Sequence, residues 1–220
     1  MKKYIPILKR TQLFRGACDE EINAMLSCLG ARLITYKKGE LVLRQGEHIS
    51  DIALLVEGIL HIQSDDYWGN RSILGQIDAG DMFGEAYALN ESTGLLNDVV
   101  AVADSAVVFL DAKRIINTCR GACRFHAIVV QNLFFAICEK NKKLVQKLGH
   151  MSKRSTREKL ISYLSEEAKK QRSSTFTIPF NRQQLADFLS VDRSAMSNEL
   201  CKMRDDGLLE FDKNKFRLIC

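Results

Sequence analysis

The period of the apolar positions changes three times along the chain. Residues 4–30 carry a stripe at helical spacing (Ile22, Met25, Leu26, Leu29), with Asp19 placed to cap the second of two short helices. From Ala31 to Leu110 short apolar runs alternate with turn signals at Lys38-Gly39, Gln45-Gly46, Glu57-Gly58, Trp68-Gly69-Asn70 and Ala79-Gly80-Asp81. That spacing predicts a compact all-β sandwich or barrel. Alternation through Ile59, His61, Gln63 and through Val100, Val102, Val107 fits strands buried on one face.

From about residue 123 to 148 the pattern becomes one long helix. Cys123, Ala127, Val130, Phe134, Ile137, Asn141, Leu144 and Leu148 recur in alternating steps of four and three, which is the seam of a coiled coil. A core-facing amphipathic helix needs a similar stripe. The repeat holds for more than three heptads, and dense charge from Glu139 to Lys147 surrounds it, so the seam reading is preferred. Asn141 at a seam position trades stability for register and partner number. Gly149-His150-Met151-Ser152 breaks the pattern and marks a candidate hinge. A further amphipathic helix follows at 155–170 (Leu160, Ile161, Leu164, Ala168), then a short strand at Phe176-Thr177-Ile178.

Residues 181–207 contain two short helices joined by a tight turn. Asn181 with Gln184 forms a capping box. The first helix directs Leu185, Ala186 and Leu189 inward, Ser190-Val191 turns the chain, and Asp192 caps a second helix at 193–205 with Met196, Leu200 and Met203 inside. This describes a helix-turn-helix with small Ala186 at the crossing. A hairpin, 208–211 and 216–219, supplies a wing. If the second helix enters a major groove, its outward residues Arg193, Ser194, Ser197 and Asn198 meet base edges: Arg suits guanine, Asn suits adenine, and Ser serves either. Asn181, Arg182, Gln183, Lys202 and Arg204 are placed for phosphates, which set affinity but carry no sequence information.

Charge agrees with this. The chain has 220 residues and a net charge of +5. Residues 149–220 hold 14 Lys and Arg against 10 Asp and Glu, while the rest is nearly balanced at 18 against 17. The basic excess favours a polyanionic partner for the C-terminal part. No apolar run approaches a membrane span and no signal peptide is read, so no membrane partner and a cytoplasmic location are expected. Seven cysteines, an odd number mostly in apolar or helical patterns, predict thiols rather than a disulfide framework.

The chain resembles the CRP/FNR family over nearly its whole length. KKGELVLRQGE (37–47), LLVEGILHI (54–62) and DAGDMFGEAYAL (78–89) resemble the glycine-marked turns and phosphate-cassette start of that family's β-roll, and residues 180–209 resemble its DNA reader. The resemblance implies an α+β fold in two domains. Residues 1–148 form a cyclic-nucleotide-binding-like jelly roll with a dimerisation helix at about 123–148, and residues 149–220 form the winged helix-turn-helix. It also implies a bacterial, homodimeric transcription regulator, not an enzyme, that binds an inverted-repeat operator in double-stranded DNA. RNA polymerase stands as a further candidate partner.

The signal is where the sequence departs from the family. Cyclic-nucleotide-binding members follow Gly-Glu with an Arg and a small hydroxyl residue about ten positions on. Here Gly84-Glu85 is followed by NESTGLLNDVV, with Asn97-Asp98 in place of that pair and no Arg. An anion beside Asp98 without a cation is repelled, which argues against cyclic AMP. A small organic effector is expected instead, touching Gly84, Glu85, Asn97 and Asp98 and the helix at Arg124 and Ile128. A cyclic nucleotide and a thiol-redox switch remain the alternatives, the latter through Cys119 and Cys123. The widely spaced Cys18 and Cys28 do not suit an iron–sulfur cluster, and the scattered His48, His61, His126 and His150 do not suit a metal, so no cofactor is expected.

Overall fold

The computed structural model describes residues 1–65, 71–90, 92–117 and 124–219. The Trp68-Gly69-Asn70 turn and Cys119 and Cys123 lie outside the described residues. In chain order the elements are α1 (Ile5–Leu8), α2 (Asp19–Cys28), β1 (Arg32–Tyr36), β2 (Leu41–Leu43), β3 (Asp51–Glu57), β4 (Ile59–Asp65), β5 (Arg71–Asp78), β6 (Met82–Phe83), α3 (Glu85–Ala88), β7 (Asp98–Ala101), β8 (Ser105–Asp111), α4 (Ala112–Ile116), α5 (Arg124–Met151), α6 (Thr156–Gln171), β9 (Thr175–Thr177), α7 (Arg182–Leu189), α8 (Arg193–Asp205), β10 (Leu209–Asp212) and β11 (Lys215–Leu218). They divide into two compact units, Met1–Ile137 and Cys138–Cys220.

The first unit contains two four-stranded sheets, ordered β1-β8-β3-β6 and β2-β7-β4-β5. The paired strands are antiparallel. Strands β3 and β8 occupy the middle of the first sheet and are apolar on both faces. Ala53, Leu55, Val107 and Phe109 face a core shared with Leu60, Val99 and Ala101 of the second sheet. Ile52, Leu54, Val108 and Leu110 join Ile22, Leu26 and Ile115 of the covering helices and Val129 and Leu133 of α5. A strand buried on both faces reads as a continuous apolar run, as DIALLVE does. At the β3–β4 turn Gly58 has φ +94°, and a Cβ there would collide with the Asp104 carbonyl and Ser105. Only glycine takes both that conformation and that approach.

The structure shifts several sequence expectations. Helix α2 begins one residue early: Cys18 is its N-cap and Asp19 its first residue, and Glu21 accepts the Cys18 amide at 2.8 Å. In β4 it is Leu60 that is fully buried, while Ile59 is exposed and His61 half-buried. Ile62 shares the inner face with Leu60, and Gln63 is buried as well; beyond Ile62 the register with β5 shifts where Leu74 is passed over, while pairing with β7 continues in step. Val102 falls just past the end of β7.

The proposed hinge at Gly149–Ser152 is corrected as well. Helix α5 runs through Gly149 to Met151. A helical glycine costs only about 1 kcal/mol relative to alanine, and the residue beside it is well held. His150 is buried, with Nδ1 2.9 Å from the Ser162 hydroxyl and Nε2 3.3 Å from the Glu166 carboxylate. The chain breaks instead at 152–155, where Ser155 and Glu158 cap α6 reciprocally. On α6 the inner face is Leu160, Tyr163, Leu164 and Glu167, and Ile161 is exposed.

Candidate nucleic-acid interface and pairing helix

In the second unit α6, α7 and α8 enclose a core of Leu160, Leu164, Leu185, Ala186, Leu189, Met196, Leu200 and Met203. The sheet β10-β11-β9 closes it through Phe176, Leu209 and Phe216. The turn between α7 and α8 is fixed locally. Ser190 takes the left-handed conformation at φ 51°, and the Lys159 ammonium donates to the carbonyls of Leu189 and Ser190 at 3.1 and 3.3 Å. The Asp192 carboxylate then accepts the Ala195 amide at 2.7 Å and starts α8. These charges and caps satisfy backbone groups that the turn would otherwise leave open.

Met196, Leu200 and Met203 fix the inner face of α8, and that decides what points out. Arg193, Ser194 and Asn198 are exposed. Ser197 is half-buried, and its hydroxyl donates to the Arg193 carbonyl at 2.9 Å, leaving its oxygen as an acceptor only. Cys201, which the sequence reading passed over, is exposed seven residues beyond Ser194 on the same face, and Lys202 is exposed beside it.

The residues expected at phosphates divide into two kinds. Asn181 uses its side-chain oxygen to cap α7, accepting the Gln184 amide at 2.9 Å, while Gln184 accepts the Asn181 amide at 2.9 Å. Gln183 donates to Asp187 at 2.8 Å. Arg182 lies over the rings of Phe211 and Phe216, with its guanidinium carbon 4.7 and 5.2 Å from the two centroids. Burial there lowers its pKa from the ordinary guanidinium value. Its main contact is thus with the wing. Arg204 pairs with Asp205 at 3.1 Å and approaches Phe211 at 5.8 Å. Pro179 to Gln184, Arg193 and the wing-tip residues Lys213 and Asn214 line an open concavity of about 720 Å³. Lys213, held in the left-handed conformation at φ 52°, had no signal in the sequence beyond its place in the hairpin turn.

Helix α5 presents two unlike faces. His126, Val129, Asn132, Leu133 and Ala136 are buried within the first unit, and Asn132 donates to the Leu13 and Arg15 carbonyls at 3.1 and 2.9 Å. The heptad positions lie elsewhere: Ala127, Val130, Phe134, Ile137, Asn141, Leu144 and Leu148 are all exposed in the single chain. Phe134, Leu144 and Leu148 expose 60–65% of their surface.

In the expected effector region, both ends of segment 84–98 pack against residues 43–51. Gly46 donates to the Leu95 carbonyl at 2.7 Å, and Leu95 donates to that of Glu47 at 2.9 Å. The Asp98 carboxylate accepts the Gln45 amide at 2.6 Å, so it is committed to the turn. Gly84 is the left-handed residue before α3, whose first residue is Glu85, and Asn97 is half-buried. Ile128 is half-buried on α5, and the Arg124 side chain lies outside the described residues.

Comparison with known proteins follows the same division. Residues 33–121 match the cyclic nucleotide-binding domain model, and residues 158–219 match the Crp-like helix-turn-helix domain. Cyclic GMP-binding protein C of Dictyostelium discoideum is 29% identical over 126 residues, which are 53% of this chain but only 5% of that protein. The crystal structure of Thermus thermophilus catabolite activator protein superposes with a TM-score of 0.55 at 20% identity, covering 95% of this chain and 94% of that one. CprK complexed with OCPA gives 0.67 at 16% identity, covering 90% and 89%. With a cyclic-nucleotide-binding-type roll, a long helix and a Crp-like helix-turn-helix in that order, the chain belongs to the CRP/FNR family of DNA-binding transcription regulators.

Proposed function

We propose that the protein is a homodimer that reads an inverted-repeat operator in double-stranded DNA under the control of a signal sensed in its β-roll. Residues 1–148 sense and pair, and residues 149–220 read. The observation that carries this is the exposed heptad face of α5 in the same chain as an exposed polar reader face on α8. Covering a leucine or phenylalanine side chain is worth about 1.5–3 kcal/mol, so a face with Phe134, Leu144 and Leu148 in water favours a second copy.

In this reading Arg193, Ser194, Ser197 and Asn198 contact bases. Asn181, Gln183, Lys202, Arg204 and the wing-tip Lys213 track phosphates, and Arg182 braces the wing that carries Lys213. RNA polymerase is a candidate partner of the bound dimer. The signal is a small ligand other than cyclic AMP. Residues 84–98 contain no Lys or Arg to neutralise a cyclic phosphate, and the Asp98 carboxylate is held in place by the Gln45 amide. The ligand shifts the population between pairings of α5, which re-aims the two readers. Selection of genomic fragments with purified protein tests the proposal. A two-fold-symmetric motif supports it, and recovery of no motif above random competitor contradicts it.

A cyclic nucleotide remains the second reading, because the roll matches the cyclic nucleotide-binding domain model. Titration with cyclic AMP and cyclic GMP separates the two.

A further inference from the structure

We propose that Cys28 and His126 form a thiol–imidazole pair that reacts with small hydroperoxides. Cys28 is the last residue of α2, and His126 is the third residue of α5, 98 positions later. The Cys28 Sγ lies 4.0 Å from His126 Nδ1. On the other side of the ring, Nε2 is 2.7 Å from the Arg114 carbonyl oxygen. A carbonyl only accepts, so Nε2 carries a hydrogen in every protonation state. In the neutral ring, therefore, Nδ1 is the lone-pair nitrogen, and it faces the thiol. A base oriented by a carbonyl and aimed at a nucleophile is the arrangement that activates cysteine.

The surroundings suit the reaction. His126 is buried, whereas Cys28 is half-buried. Both line a cleft of about 200 Å³ together with Lys113, Arg114 and Asn117. The space of a water in the liquid is about 30 Å³, so the cleft admits a hydroperoxide of a few heavy atoms. Lys113 and Arg114 line the same cleft as the sulfur, and Asp111, 3.4 Å from Arg114, offsets part of that positive charge. Cations near a thiol favour the thiolate.

The proton passes from Sγ to Nδ1. The thiolate attacks the outer oxygen of the hydroperoxide, the S–O bond forms and the O–O bond breaks. The departing alkoxide or hydroxide takes the proton from Nδ1. Sulfur is oxidised from thiol to sulfenic acid, and the hydroperoxide is reduced to an alcohol or water. The new oxygen enters the space between Cys28 and His126 and displaces the first turn of α5, four residues before Val130 of the exposed seam. That regulatory consequence rests on the dimeric regulator proposed above. The chemistry does not.

The test uses the full, reduced chain treated with hydrogen peroxide and dimedone, with adducts mapped by peptide mass. Cys138 and Cys201, both exposed, serve as internal references. Cys28 should be trapped about tenfold faster than either reference, and His126→Asn should remove that advantage. Because a buried histidine variant can misfold, a second readout uses the unmutated chain. As pH falls from about 8 to about 6, iodoacetamide alkylation of Cys28 should slow much less than that of Cys201, because the imidazolium retains the thiolate. Equal trapping of the three thiols, or a ratio of alkylation rates that does not change with pH, overturns the proposal. Neither readout involves DNA, so its failure is distinct from failure of the regulator reading.

Discussion

Arg157 on α6 places its Nε 2.9 Å from Oε1 of Glu199 on α8, and its other arm pairs with Asp206 at the end of the same helix. One guanidinium thus holds the reader helix at two points almost two turns apart. Both carboxylates raise the pKa of Arg157, with Asp206 contributing most, so the cation persists at any working pH. Glu199 is mostly buried, and removing its partner leaves a poorly solvated charge. Arg157→Ala should lower the melting temperature and weaken DNA binding together. Arg157→Lys should recover only part of both, because an ammonium cannot serve two carboxylates in fork geometry. Thermal unfolding and DNA titration of both variants check this.

Base readers and phosphate contacts should separate cleanly in mutants. Arg193→Ala and Asn198→Ala should each cost about 1–3 kcal/mol on the best operator and relax preference at one base position per half-site. Titration against operators substituted at each position reads both effects. Equal loss on every sequence would assign these side chains to the backbone instead.

Lys213→Ala at the wing tip should weaken binding to all duplexes alike. The slope of log affinity against log salt concentration should become shallower by about 1 per protomer. Affinity measured across a salt series gives that slope directly.

The seam on α5 should control association. Leu144→Glu places a charge on a face that pairing would bury, and should convert the dimer to monomer at micromolar concentration, with DNA affinity falling at least tenfold. Asn141→Leu should act in the opposite sense, strengthening association while admitting other registers or oligomers. Sedimentation of the two variants distinguishes these outcomes.

The unequal legibility of the sequence has a physical pattern. The boundaries of α7 and α8 could be read because the groups that set them are local: Asn181 with Gln184, and Asp192 with Ala195. The end of α5 was misread because its support is tertiary. The bonds of His150 to Ser162 and Glu166 carry the helix through a glycine that alone suggests a break. The inward phase of β4 does not follow from alternation alone, because apolar Ile59 and Leu60 are neighbours on opposite faces and only packing against the other sheet selects Leu60. The Arg157–Glu199 bridge and the Cys28–His126 approach join residues 42 and 98 positions apart, and only the folded chain brings such groups together. Arg182 read as a phosphate ligand because its charge is visible in sequence, whereas the aromatic rings beneath it are not.

Operator recognition as proposed requires two readers held at a fixed spacing by paired α5 helices. Hydroxyl-radical footprinting on a selected operator, with and without a five-base-pair insertion at its centre, tests this directly. The expected result is two protected patches on one face, about 10–10.5 base pairs apart, with protection lost at one patch after the insertion. A single patch, or two patches that survive the insertion unchanged, would contradict it.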